Sequence, residues 1–171
     1  MRKIPFFKYH PEPLKTGMIK KETTTCEVCE KEIDYIYNGP FYAEEEVSDI
    51  CPWCIKDGKA SKEFDGTFQD EDSCDPVDKE EYVDELIHRT PGYGGWQQEY
   101  WLSHCGDFCS FEGFVGWSEI EGIINDLEDD ISESGFTKDD LQRILVNGGS
   151  LQGYLFKCNI CGKYRIHFDC D

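Results

Sequence analysis

Eight of the ten cysteines stand in close pairs: Cys26 with Cys29, Cys51 with Cys54, Cys105 with Cys109, and Cys158 with Cys161. Two thiolates separated by two residues in a tight turn reach one tetrahedral ion at about 2.3 Å per Zn–S bond, and two such pairs close a four-sulfur site. Four pairs therefore predict two zinc ions. The first site takes Cys26, Cys29, Cys51 and Cys54; the second takes Cys105, Cys109, Cys158 and Cys161, with His104 as an alternative to Cys105 through a rotation of one residue. Sites closed by four protein ligands leave no position for a water, so structural metal is expected. It would clamp the C-terminal element onto the middle of the chain.

Other chemistry competes for the same residues. Cys51-Pro52-Trp53-Cys54 has the form of a C-P-x-C thiol redox motif, in which a helix N-terminus lowers the first thiol's pKa. A second cysteine pair upstream and the lack of a βαβ pattern favour metal, and iron–sulfur ligation is the alternative metal chemistry. Cys170 shares a strand face with Ile166 and Phe168 and is expected to be packed and inert. Cys74 lies in an acidic loop that should raise its pKa. No phosphate-binding, dinucleotide-binding, metalloprotease or hydrolase signature occurs, so the protein is expected not to be an enzyme. The enzymatic alternative is a site around Arg89–His104, with His104, Asp107 and Glu99 as acid–base groups. Aromatic residues crowd the same stretch, and Arg89, Tyr93, Trp96 and Tyr100 form a candidate interaction surface.

Several elements must position these groups. Ile33, Tyr35 and Tyr37 alternate before the turn Asn38-Gly39-Pro40, as in a hairpin, and residues 52–64 suit a short helix that Gly58 weakens. A knuckle, a hairpin and a cysteine pair opening a helix follow the order of a treble-clef-like zinc finger. Tyr154–Phe156 and Tyr164–Cys170 predict two strands joined by the Cys158–Cys161 knuckle. Helices are expected over 76–89, opened by Pro76, and over 118–134, with Ser118 and Glu121 as a capping box. Thr137 should cap a third helix that ends at Gly148-Gly149, with Asp140 three residues on and Phe136 packing on Leu141.

A chain of 171 residues with 14% aromatics is long enough for one core or two small lobes. Seventeen basic against 36 acidic residues give a formal charge of −19, which disfavours nucleic acid. A basic protein partner would instead be attracted, steered by Glu44-Glu45-Glu46, Asp70-Glu71-Asp72 or Glu128-Asp129-Asp130. Arg2 and Lys3 precede an apolar stretch that Pro5 and Lys8 interrupt, so neither a secretory signal nor a membrane span is expected, and the cytoplasm is the expected compartment. The expected architecture is α+β. A zinc-knuckle, treble-clef-like lobe covers 1–75, and a helical lobe with the second zinc site covers 76–171, closed by a C-terminal zinc-knuckle β-hairpin, the two forming one compact unit.

One string of residues is specific: Phe7 to Pro13, Gly39-Pro40 with Tyr42, Cys51 to Gly58, Phe64 to Asp70, and Arg89 to Tyr93 with Trp96-Gln97, Trp101, His104-Cys105, Asp107 and Cys109. In these the chain resembles the CbrC family, a bacterial group named for colicin tolerance. The resemblance implies a bacterial cytoplasmic protein with a role in resisting a nuclease colicin or similar toxin. Joined to the charge, it implies a non-enzymatic, zinc-stabilised acidic module that binds a basic, toxin-like or stress-related protein.

Overall fold

Strand β1 (Ile19–Thr25) and strand β2 (Glu32–Tyr37) form an antiparallel hairpin whose turn is the Cys26–Cys29 segment itself. This comes from a computed structural model describing residues 2–171, with Met1 outside it. The alternation at Ile33, Tyr35 and Tyr37 does mark a strand, but its partner lies upstream and not beyond Asn38-Gly39-Pro40. Ile19 stands opposite Tyr37 and Thr25 opposite Glu32, with an irregularity between Lys21 and Thr24.

Cys51 caps helix α1 (Pro52–Lys56), with Pro52 in the first turn, where a missing N–H is tolerated. Gly58, at φ 72°, closes this turn and opens helix α2 (Lys59–Phe64), so the helix expected over 52–64 is split at its weakest residue. Helix α3 (Glu80–Arg89) begins at Glu80 and not at Pro76. Cys74 bridges to Trp101, and the Asp75 N–H donates to the Trp101 carbonyl at 2.8 Å, which holds that stretch extended.

Strands β3 (Ser103–His104) and β4 (Asp107–Phe108) make a minimal hairpin around Cys105-Gly106. Both turn residues have positive φ, 56° and 74°, as a two-residue type I′ turn requires. Strand β5 (Ser110–Val115) then leads to three short helices, α4 (Trp117–Ile120), α5 (Glu128–Ser134) and α6 (Lys138–Ile144). Strands β6 (Leu151–Lys157) and β7 (Tyr164–Cys170) complete an antiparallel sheet in the order β5-β6-β7. The pairing of β6 with β7 across the knuckle is the one the sequence predicts.

The single helix expected over 118–134 is broken into α4 and α5. Between them run a 3-10 turn, Glu121–Ile123, and the tighter bonds Asp126 N–H to Ile123 O and Leu127 N–H to Ile124 O. Gly122, Asn125 and Asp126 are poor helix formers, yet Ile120, Leu127 and Ile131 still reach the core. The Glu119 carboxylate accepts the Gly116 N–H at 2.6 Å in place of the expected pairing of Ser118 with Glu121. Thr137 does cap α6, accepting the Asp140 N–H at 3.1 Å. That helix ends at Ile144, before Gly148-Gly149.

Alternation along β6 explains why almost the whole strand is buried. Tyr154 and Phe156 enter an aromatic core with Tyr93, Trp101 and Phe111, whereas Leu151 and Leu155 face α4–α6. A separate core lies under β1, β2 and α1, around Ile19, Ile36, Ile55 and Phe68. The N-terminal segment ties the two together, since Phe7 enters this core and Tyr9 the aromatic one. The Phe68 N–H also reaches the Ile87 carbonyl at 2.8 Å. The chain is thus an α+β protein, and no helix among the described residues is long and apolar enough to cross a membrane.

Candidate metal centres

The β1–β2 turn brings Cys26 and Cys29 to the N-terminus of α1, where Cys51 and Cys54 stand. The four sulfurs lie within 4.8 Å of one another. The turn is a knuckle: the Cys26 N–H donates to Lys31 O at 2.9 Å, the Glu30 N–H to Cys26 O at 2.8 Å, and Glu30 takes a left-handed φ of 56°. A non-glycine residue there costs on the order of 1 kcal/mol, so the closed turn is bought at some strain. Cys26 Sγ accepts the Cys51 N–H at 3.4 Å. The Cys51 thiol also hydrogen-bonds this sulfur, which lowers the Cys26 pKa to about 4 against the opposing effect of burial. The same bond and burial raise Cys51, and burial pushes Cys54 up to about 12. Without metal the quartet therefore keeps protons that an ion must displace.

The β6–β7 turn repeats this construction. The Cys158 N–H donates to Lys163 O at 2.9 Å, the Gly162 N–H to Cys158 O at 3.0 Å, and Gly162, at φ 78°, holds the position that Glu30 holds in the first knuckle. Backbone N–H groups of Ile160 and Cys161 point at Cys158 Sγ at 3.4 and 3.5 Å. Burial raises this thiol, but these donors, with His104 and the Cys161 thiol, outweigh it and bring the pKa down to about 6. The β3–β4 hairpin supplies the other half. His104, Cys105, Cys158 and Cys161 place one ligand atom each within 4.8 Å of the rest. His104 Nδ1 is 3.2 Å from Cys105 Sγ and 3.3 Å from Cys161 Sγ.

Cys109 is a correction to the expected ligand set. The two-residue turn at Cys105-Gly106 carries the chain away from the centre before Cys109, whose side chain enters the aromatic core at 0% exposure. Burial pushes its thiol up to about 12. His104 takes the fourth place, so it substitutes for Cys109 and not for Cys105. Both clusters suit a tetrahedral ion, because ligands about 2.3 Å from a common centre stand roughly 3.8 Å apart, inside the observed envelope.

Arg165 of β7 braces the second centre. Its guanidinium donates to Asp130 at 2.6 Å, to Asp75 at 2.9 Å and to Ser103 O at 2.7 Å, while Asp75 accepts the Ser103 N–H at 2.8 Å. Ser103 directly precedes His104, so the network fixes the strand that presents two ligands.

The four residues expected to form an interaction surface do not share one. Tyr93 is fully buried, stacked on Phe111 with centroids 4.4 Å apart, and its hydroxyl donates to Tyr100 O. Burying so large an aromatic face outweighs presenting it. Arg89 is held by Asp84 at 2.7 Å, Tyr100 is half-buried, and Trp96 is 51% exposed with its indole N–H on Gly149 O. The acid–base groups of the enzymatic alternative have separate partners: His104 belongs to the second centre, Asp107 to Lys8 and Tyr9, and Glu99 to Tyr42. Cys170, expected to be packed, is exposed at the sheet edge. Cys74 has its pKa raised to about 11, by burial first and then by the carboxylates of Glu71 and Asp75.

A family model described as an uncharacterised protein family, UPF0167, matches residues 4–170. UPF0167 proteins of Mycobacterium bovis and of Mycobacterium tuberculosis are each 40% identical over 176 residues, spanning 98% of this chain and 94% of theirs. A UPF0167 protein of Pseudomonas aeruginosa is 38% identical, spanning 98% of this chain and 97% of its own. No solved structure matches. These findings correct the resemblance to the CbrC family, because the family model and these relatives are all UPF0167 and none bears the other name. Nothing in these comparisons bears on colicin tolerance. A match over almost the entire chain, with relatives 38–40% identical along nearly all of it, makes this protein a member of the UPF0167 family.

Proposed function

We propose that the chain is a non-enzymatic module, built around two structural zinc ions, that binds a basic segment of another protein through an acidic face. The observation that carries the zinc half is the pair of four-ligand clusters on knuckles of the same construction. Cys26, Cys29, Cys51 and Cys54 would hold one ion; His104, Cys105, Cys158 and Cys161 would hold the other. Thiolate-rich tetrahedral donor sets suit zinc, and four protein ligands leave no site for a reacting water. Each ion joins elements that no long helix or large sheet otherwise unites.

The charge distribution supports the binding half. The carboxylates at 128–130 are taken up internally, Glu128 by Lys138, Asp129 by Lys163 and Asp130 by Arg165. Glu44, Glu45, Glu46, Glu71 and Asp72 are exposed and form no ion pair among the described residues. A bridge between Tyr42 and Thr67 draws together the segments that lead into these two runs. With a formal charge of −19 and thiolate centres adding to it, such a face steers basic partners and repels anionic ones.

The test is titration of lysine- and arginine-rich peptides against the zinc-loaded chain at low and high salt. Binding should weaken with salt, and it should fall several-fold when Glu44, Glu45 and Glu46 are changed to Gln, while Glu128→Gln with Asp129→Asn leaves it unchanged. No binding at low salt, or equal losses in the two variants, would overturn the reading.

A further inference from the structure

The two centres share a knuckle but differ in what covers their sulfurs. In the first, Cys26, Cys51 and Cys54 are 0, 2 and 3% exposed against the core beneath β1, β2 and α1, and Cys29, at the edge of a cleft, is half-buried, so none of the four is exposed. In the second, only Cys158 is buried, and it carries two backbone N–H donors. Cys105 and Cys161 are exposed. They stand on two separate hairpin turns that meet at His104, whose Nδ1 lies 3.2 and 3.3 Å from their sulfurs. Exposure, more than ligand type, decides which metal-bound thiolates an oxidant in solution can reach.

We infer that the second centre is a peroxide-sensitive modification site, in which Cys105 and Cys161 are joined as a disulfide and the zinc ion leaves, while the first centre resists. The inference rests on the reading that both clusters hold zinc. The oxidant is hydrogen peroxide or an organic peroxide. One exposed thiolate attacks a peroxide oxygen: an S–O bond forms, the O–O bond breaks, and the departing hydroxide or alkoxide takes a proton from solvent. The second thiolate then attacks the sulfenic sulfur, forming the S–S bond and expelling hydroxide, which is protonated to water. Two sulfurs lose one electron each, the peroxide gains two, and zinc is released without a change of charge. Cys158 and His104 remain as two ligands, too few to retain the ion.

The geometry allows the step. All ligand atoms of the centre lie within 4.8 Å of one another, so the two sulfurs need approach by less than about 3 Å to reach a disulfide length, and both sit on the turns rather than within the paired strands. Buried Cys158 is the member an oxidant meets last.

The experiment treats the zinc-loaded full chain with hydrogen peroxide and follows native mass, free zinc by a colorimetric chelator, and cross-links by peptide mapping. One zinc ion should be lost at least about tenfold faster than the other, leaving a Cys105–Cys161 cross-link and a chain two hydrogens lighter than the same chain with that centre empty and reduced, and thiol reductant with added zinc should restore the starting mass. Equal loss from both centres, faster loss from the first, no loss, or a Cys158–Cys161 cross-link would each overturn the inference while leaving the proposed function standing. A chain that carries fewer than two zinc ions before peroxide is added would overturn both, and the untreated native mass separates these failures.

Discussion

Changing Arg165 to Met removes the one cation that joins Asp75, Ser103 and Asp130. Its side chain is 21% exposed and that of Asp130 is 8% exposed, so this pair is far from the freely solvated limit. In the variant the Asp130 carboxylate keeps the Ile166 N–H at 2.9 Å but loses its counter-ion, and the Ser103 carbonyl loses a donor. Stranding one partner of a buried pair costs about 3–5 kcal/mol, and the residual exposure of Arg165 places the expected value near the low end, about 3 kcal/mol. At roughly 2–4 °C per kcal/mol for a chain of this size, the melting temperature of the zinc-loaded protein should fall by about 6–12 °C, as read by calorimetry. Removing the stranded carboxylate as well, in Arg165→Met with Asp130→Leu, should recover at least half of the loss. Zinc should also leave the second centre faster in the single variant, because Ser103 precedes His104. A shift below about 2 °C, the range of exposed ion pairs, would refute the reasoning, as would a double variant weaker than the single one.

Both knuckles favour glycine at the same left-handed position, so substitutions toward and away from it should have opposite effects. Glu30→Gly should raise stability by up to about 1 kcal/mol, and Gly162→Ala should lower it by a similar amount, because both positions are left-handed; urea midpoints moving in the same direction would contradict this. Burial lowers the His10 pKa to about 4, so the folded chain stays unprotonated where the unfolded chain already binds a proton. Stability should therefore fall by about 2 kcal/mol between about pH 7 and pH 5 from this group, and His10→Gln should remove that part of the slope, whereas parallel slopes in urea unfolding would refute it. Cys109→Ala should keep both metal ions, while His104→Ala should retain only the first. Loss of one ion from the Cys109 variant would return that residue to the ligand set.

The C-x2-C pairs were legible because a tight turn between two thiolates leaves a fixed spacing, and the strands around Cys158–Cys161 alternate plainly. The partner of Cys105 was not. A C-x3-C spacing looks like another bite, and only the two-residue turn signal His104-Cys105-Gly106-Asp107, with glycine at a left-handed position, separates Cys109 from the centre. Strand β1 left little trace because Ile19 is its one fully buried residue and the rest is solvated Lys, Glu and Thr, so its pairing is set by β2 and the knuckle. The break between α4 and α5 was foreshadowed by Gly122 and Asn125, but the apolar spacing at Ile120, Leu127 and Ile131 overrode that warning. Tyr93 was misplaced because an aromatic flanked by glycines gives no sign of which way its ring points. Only the sheet reveals the cavity that it fills.

The central claim is two zinc centres of unlike composition, and native mass spectrometry of the full chain purified without chelator, with elemental analysis of the same sample, tests it most directly. The account predicts two zinc ions per chain, both lost only when the thiolates are protonated or oxidised. An apo chain with its cysteines reduced, a single ion, or iron with sulfide would contradict it.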